Sequence, residues 1–172
     1  VVLNSLCASF LHECGHIFFL ALFRAFPISV TLSAFGMRIE RPPHSALCFL
    51  KEIFISLGGI IFNLSAALLG FVCNLFYPPD FFSFAVAVNL IVALMNSLPN
   101  INLDSGRALY YLFAYVKNED YAGSLLNILS SFFAVLIVVF FVFYTVFSSF
   151  NISLAVVTIY ILILTFKREV DK

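Results

Sequence analysis

Charged side chains are scarce in this sequence. Asp, Glu, Lys and Arg together make up 10% of its 172 residues, whereas 63% are hydrophobic, and the mean hydropathy is +1.09. A soluble domain of this size could not bury so much apolar surface, so the composition indicates a membrane protein. The formal net charge is +0 and the sequence has no basic run, which argues against a nucleic-acid partner.

The sequence also has few cysteines and histidines. The four cysteines lie in apolar segments without C-x-x-C spacing, which is typical of small buried side chains and not of a disulfide framework or a thiolate metal site; they are Cys7, Cys14, Cys48 and Cys73. Of the three histidines, His44 lies beside two prolines, where we expect it in solvent. The other two, His12 and His16, are four residues apart.

Long apolar runs fill most of the chain. At about 20 residues for each crossing, five runs predict helical spans: residues 1–23, 47–76, 81–116, 125–147 and 152–166. If residues 81–116 form one span broken near Pro99, all nine basic residues lie on one side of the bilayer, whereas two crossings would divide them. We therefore predict an all-α polytopic membrane protein with about five transmembrane helices in the lipid bilayer, and with its C-terminus in the cytosol.

Residues 28–43 depart from the helical pattern. Polar and apolar side chains alternate there on either side of Phe35 and Gly36, which predicts two short strands joined by a turn. The predicted topology places this small, membrane-associated β-hairpin after the first span, on the cytosolic side.

His12, Glu13 and His16 belong to an H-E-x-x-H motif. Helix positions four apart lie one above the other, so both imidazoles face one point, and Glu13 can reach a water bound to the same metal. This arrangement suits hydrolysis, with zinc activating the water and Glu13 as the general base. A chance association on an ordinary helix is the alternative, but ionisable side chains inside a membrane are costly and indicate a functional site.

Asp104 is the predicted third ligand. Catalytic zinc usually takes three protein ligands, and this acid lies within a polar, proline-containing break at residues 99–105. A break inside the bilayer is tolerated only where it is buried in protein or lines a wet cavity, so it suggests a site. The alternative role is an N-cap for a helix resuming at Ala108, and one carboxylate could serve both roles. Glu52 is the rival acid.

The combination resembles the site-2 protease family, in particular its compact bacterial branch, which includes the stage IV sporulation protease. The matching residues are His12, Glu13, His16, Asn96, Pro99, Leu103, Asp104, Gly106 and Arg107. The resemblance covers the chain from about Leu3 to Tyr115 and implies one zinc ion per chain, with Asp104 as its third ligand. It also implies a location in the bacterial cytoplasmic membrane and a membrane-embedded substrate, such as an anti-sigma or pro-sigma factor.

Two asparagines match the family's substrate-binding positions. Asn96 is one, and Asn63 is the other, because the segment from Gly58 to Asn63 is similar to the family's G-P-x-x-N element. Hydrogen bonding between helices is an equally good explanation for both amides. The chain departs from the family pattern at Ile60, Asn102 and Ser105. Ser105 stands where glycine is usual, which raises the question of how tight the turn after Asp104 is.

These features predict an intramembrane zinc metalloendopeptidase that cleaves in or near the transmembrane segment of a membrane-bound regulatory protein. Residues 1–116 would form the catalytic core, with three spans and the hairpin at 28–43, and residues 117–172 would add two transmembrane helices and a charged C-terminal tail. One alternative is a metal or proton transporter using the same side chains, but the inverted repeat expected of a transporter is missing from the sequence. The other is an inactive relative that acts as a binding scaffold.

Overall fold

The chain folds almost entirely into helices. A computed structural model describes residues 2–25, 29–33, 36–40, 48–77, 80–148 and 150–170. In these ranges the helices are α1 (Val2–Leu22), α2 (Phe49–Asn74), α3 (Asp80–Asn96), α4 (Asp104–Val116), α5 (Glu119–Phe147) and α6 (Ile152–Val170). The strands are β1 (Ser29–Ser33) and β2 (Gly36–Glu40), which pair antiparallel with Ser29 opposite Glu40 and Ser33 opposite Gly36. His44, the remainder of residues 28–43 and the last two residues lie outside the described ranges.

The helices carry their apolar side chains outward, as the composition predicts for a protein in lipid. Phe10 and Val146, for example, are each 72% exposed. A soluble protein rarely exposes so many large apolar side chains to water. Three helices are long and apolar enough to cross a membrane, and they lie at Leu3–Leu22, Phe49–Asn74 and Glu119–Phe147. Two shorter apolar helices lie at Phe82–Asn96 and Ile152–Phe166. The architecture is that of an integral, polytopic membrane protein, and the number of five spans stays a prediction.

Residues 1–97 form one compact unit, built on α1, α2 and α3. Helix α1 ends where Arg24 adopts a left-handed conformation with a φ of 55°. The amide of Ala25 then donates to the carbonyl of Leu20 at 2.8 Å, and that of Arg24 donates to Ala21 at 3.0 Å. This pattern is the Schellman motif that stops helices. The buried residues Leu20, Ala25 and Ile55 form an apolar cluster between the end of α1 and the start of α2.

Two glycines let α1 and α2 approach closely within this unit. A Cβ atom added to Gly15 would overlap the backbone of Gly58, and one added to Gly58 would lie 2.6 Å from the carbonyl oxygen of Gly15. The two backbones are therefore in direct contact, as small residues permit in membrane helices.

Residues 98–172 form a second compact unit, with α4 packed on α5 and α5 packed on α6. Four of its buried residues are alanines, at positions Ala108, Ala114, Ala122 and Ala134. Leu126 and Ile161 are larger buried apolar residues of the same unit. The predicted interruption of the helical pattern is present, because α3 ends at Asn96 and α4 begins at Asp104. The predicted division of the chain at residue 116 concerns function and stays a prediction.

Candidate metal site

The two motif histidines lie side by side on α1 and are removed from the surface. His12 is 6% exposed and His16 is 8% exposed. Their Nε2 atoms are 3.4 Å apart, and the rings meet edge to face at an angle of 79° with their centroids 5.0 Å apart. The spacing of four residues therefore brings both imidazoles to one point, as the motif predicts.

The backbone of α2 fixes the orientation of the His16 ring. Its Nδ1 atom lies 2.8 Å from the carbonyl oxygen of Ile55. A carbonyl oxygen accepts hydrogen bonds and cannot donate them, so Nδ1 carries the proton, and in the neutral ring Nε2 keeps its lone pair. Histidines that bind metals are commonly oriented in this way, with the second nitrogen donating to a carbonyl or carboxylate oxygen.

The separation of the two Nε2 atoms matches a shared metal ion better than a hydrogen bond. A hydrogen bond from a ring N–H is normally about 2.7–3.2 Å long, which is shorter than the 3.4 Å observed. Two nitrogens that each bind a tetrahedral zinc at about 2.0–2.1 Å lie about 3.3–3.4 Å from each other. The separation of the two Nε2 atoms is thus that expected of two ligands of one zinc ion.

Gly59 lies against His12, a contact that the sequence did not reveal. A Cβ atom at Gly59 would lie 2.5 Å from Cε1 and 2.6 Å from Nε2 of His12. The imidazole of His12 therefore packs against the bare backbone of α2. The pair of glycines in an apolar helix was the available signal, but which ring it faced depends on how α1 and α2 cross.

Asn63 is fully buried, with 0% of its surface exposed. It lies one helical turn beyond Gly59 on the same face of α2. Among the described residues, neither its side-chain nitrogen nor its side-chain oxygen has a hydrogen-bond partner. The bond between helices that would explain this amide structurally is thus missing from the described part of the chain. A buried amide without partners is costly, which favours a role in binding a ligand.

The surroundings of Asn96 and Glu13 indicate no particular role for either side chain. Asn96 is partly buried, and its Nδ2 atom donates to the carbonyl of Val92 in its own helix at 3.1 Å. Glu13 follows His12 on α1 and is half-buried. The roles predicted for these two residues, in substrate binding and as general base, stay predictions.

Asp104 is the first residue of α4 and is 8% exposed. The expectation that this helix begins near Ala108 is wrong, because the helix already starts at Asp104 and its N-cap is Leu103. The alternative role of Asp104 as the N-cap is therefore also wrong. A carboxylate in the first turn is stabilised by the positive end of the helix dipole, which helps to explain why the helix starts early.

Ser105 and Gly106 answer the question about the turn at Asp104. The hydroxyl of Ser105 donates to the carbonyl of Leu98 at 2.9 Å and so spans the turn. A Cβ atom at Gly106 would overlap the backbone carbonyl of Asn100. The position at which close approach requires glycine is thus 106, and a serine at 105 is compatible with a tight turn.

His12 and His16 belong to the first compact unit and Asp104 belongs to the second. All three side chains are buried, and the role of Asp104 as third ligand stays a prediction. Glu52, the rival acid, is also buried, at 8% exposure. The four cysteines are free thiols, and none of them is buried, since Cys7 and Cys48 are exposed and Cys14 and Cys73 are partly buried. The expectation that they are buried side chains is wrong.

Comparison with known proteins supports the architecture. No family model and no curated protein matches the sequence. The fold is similar to that of the site-2 protease from Methanocaldococcus jannaschii, with a TM-score of 0.69 and 15% sequence identity. The similarity covers 96% of this chain and 75% of the other. The resemblance seen in the motifs thus extends to the whole fold, and this chain has the fold of a site-2 protease.

Proposed function

We propose that this protein is an intramembrane zinc metalloendopeptidase. The observation that carries the proposal is the pair of buried Nε2 atoms, 3.4 Å apart on α1, with the lone pair of His16 fixed by its bond to Ile55. A metal-binding pair inside an apolar helix has few other uses, because buried imidazoles are costly in a membrane. The fold shared with a site-2 protease supports hydrolysis as that use.

In this proposal His12, His16 and Asp104 hold one zinc ion, and Glu13 is the general base. When bound, zinc supplies Lewis-acid chemistry, polarising the peptide carbonyl and making water a stronger acid. The Glu13 carboxylate takes a proton from the attacking water and later gives it to the leaving amide nitrogen. Asn63 holds a substrate oxygen through its amide N–H groups, which have no partner among the described residues, and Asn96 binds the peptide beside it.

The proposed substrate is the transmembrane segment of a membrane-bound regulatory protein, such as an anti-sigma or pro-sigma factor, in the bacterial cytoplasmic membrane. Strands β1 and β2 support recognition by strand addition, because a two-stranded sheet leaves edges to which an extended peptide can pair. In the proposed orientation this hairpin and the C-terminus face the cytosol.

A cleavage assay in liposomes tests the proposal. Purified protein is mixed with a single-span test substrate, and Glu13→Gln is compared with Glu119→Gln, which makes the same change at an exposed position. We expect one zinc per chain in all three proteins, cleavage by the wild type and Glu119→Gln, and none by Glu13→Gln. Full zinc occupancy without cleavage of any panel substrate by the wild type would instead support an inactive binding scaffold.

A further inference from the structure

Ser130 makes a hydrogen bond outside its own helix. Several other hydroxyl side chains of these helices donate to a carbonyl one turn earlier in their own helix, at 2.8–2.9 Å, and these are Ser65, Thr145, Thr158 and Thr165. Ser130 instead donates from α5 to the carbonyl of Pro99 at 2.6 Å. It is 8% exposed, so this bond is formed away from the surface. Ser130 thus connects two separate segments of the second unit.

The carbonyl of Pro99 needs such a partner because of its position. It lies in the segment from Leu98 to Leu103, here called the Pro99 loop, which joins α3 to α4. Carbonyl groups in a helix break have no helical partner, and inside a membrane each such group costs several kcal/mol unless the protein satisfies it. Pro99 is buried, and the Ser130 hydroxyl satisfies its carbonyl.

Helix α6 holds the same loop from a second direction. The Nδ2 atom of Asn100 donates to Oγ1 of Thr165 at 3.2 Å, and Nδ2 of Asn102 donates to the carbonyl of Leu164 at 3.0 Å. The side-chain oxygen of Asn100 in turn accepts the backbone amide of Asn102 at 3.0 Å. The loop is therefore bonded to both helices of the C-terminal pair.

The Pro99 loop is also fixed against the start of α4. The carbonyl of Asn100 accepts the amide of Leu103 at 2.8 Å and packs against Gly106. Asp104 follows the loop directly, so a displacement of the loop displaces the Asp104 backbone. Asp104 thus directly follows a loop to which α5 and α6 are hydrogen-bonded.

We propose that Ser130 is a positioning residue for Asp104, and that α5 and α6 hold the Pro99 loop in the shape that lets Asp104 bind metal. This inference rests on the proposed function. It assigns the two C-terminal helices a role in the metal site in addition to membrane anchoring. Losing a hydrogen bond between membrane helices typically weakens the equilibrium that depends on it by about 3- to 20-fold, so we expect zinc to bind that much more weakly without the Ser130 hydroxyl.

The test compares Ser130→Thr with Ser130→Val. These variants have the same shape, and only threonine keeps the hydroxyl. Valine is preferred to alanine because a cavity of about 350 Å³ borders Ser130 and Thr165, and water entering the space left by alanine could bond to the Pro99 carbonyl. Thr158→Val is the matched control, because the Thr158 hydroxyl is buried but bonds only to its own helix.

Zinc affinity is measured by competition with a chromophoric chelator, and the ligand geometry by the visible absorption of the cobalt-substituted protein. We expect wild-type affinity and spectrum for Ser130→Thr and Thr158→Val. For Ser130→Val we expect affinity about 3- to 20-fold weaker and an altered cobalt spectrum. Equal affinity and identical spectra for the threonine and valine variants would overturn the inference while leaving the proposed function intact.

Hydrogen exchange at residues 98–106 separates the two possible failures. Faster exchange in Ser130→Val than in Ser130→Thr is expected if the hydroxyl holds the loop. A wild-type protein that binds no zinc would overturn the proposed function and, with it, the role of Ser130 toward metal. Equal exchange in the two variants would show that the Ser130 hydroxyl does not hold the loop.

Discussion

The imidazole of His12 lies directly on the backbone of Gly59. A Cβ atom at position 59 would approach three ring atoms of His12 to 2.5–2.7 Å, so any other residue would force the ring to rotate or α1 to move. His12 and Gly59 are on different helices and 47 positions apart in the sequence. The close crossing of α1 and α2 therefore sets the position of the His12 ring, which the proposed function makes a zinc ligand.

We expect Gly59→Ala to weaken zinc binding. Overpacking in a tight site costs about 1–3 kcal/mol, and here the strain falls on a ligand ring. Gly70→Ala is the control, because its added Cβ on the same helix would meet the side chain of Val86 and not a ligand. The zinc affinities of both variants are measured by chelator competition. Wild-type affinity for Gly59→Ala would show that the His12 ring tolerates the extra methyl group.

The sequence predicted those parts of the site that depend on local spacing. Two histidines four residues apart must share a helix face, and a proline within a polar stretch must break a helix, so the His12–His16 pair and the interruption after Asn96 could be foreseen. The start of α4 was predicted four residues too late, because Asp104 and Ser105 are weak helix formers in a helix interior but suit a first turn.

The contacts between distant segments could not be predicted in this way. The bond from His16 to Ile55 and the packing of His12 on Gly59 require the crossing of α1 and α2 to be known, and the bond from Ser130 to Pro99 requires the packing of α5. Hydropathy predicts which segments enter the membrane, but it does not fix their rotation or crossing point.

Removing the metal should lower the stability of the protein. A ligand that binds only the folded state stabilises it in proportion to the logarithm of its concentration above the dissociation constant. We expect the thermal midpoint in detergent to fall on treatment with a chelator and to recover with zinc but not with magnesium, which prefers oxygen ligands. In His12→Ala/His16→Ala the midpoint should not respond to zinc, and a response there would place the metal elsewhere.

Placing glycine at position 105 should destabilise the protein. Ser105→Gly removes the bond from the Ser105 hydroxyl to Leu98 and adds backbone freedom in the first turn of α4, which together cost about 1–2 kcal/mol. Ser105→Ala separates the two effects, because it loses only the bond. Unfolding midpoints in a denaturing detergent measure both variants. A Ser105→Gly protein as stable as the wild type would mean that the hydroxyl does not support the turn.

Replacing Asn63 should increase stability and decrease activity. The buried amide has no hydrogen-bond partner among the described residues, and an amide buried in this way costs about 1–3 kcal/mol. Leucine has a similar size and carries no such cost, so Asn63→Leu should unfold at a higher midpoint. The same variant should lose cleavage while keeping one zinc per chain, because the proposed role of Asn63 is to hold substrate and not metal.

Asn89→Leu is the matched control for this trade-off. Asn89 is also buried, at 9% exposure, and its side-chain oxygen has no partner among the described residues, while its nitrogen donates to Ala85 in its own helix at 2.9 Å. The control should therefore gain stability without losing cleavage. Loss of stability in Asn63→Leu would show that the amide is satisfied in the folded protein, and full activity would show that it does not hold substrate. A costly buried amide is expected to persist where function requires it, so only the combination of higher stability and lost cleavage supports the assigned role.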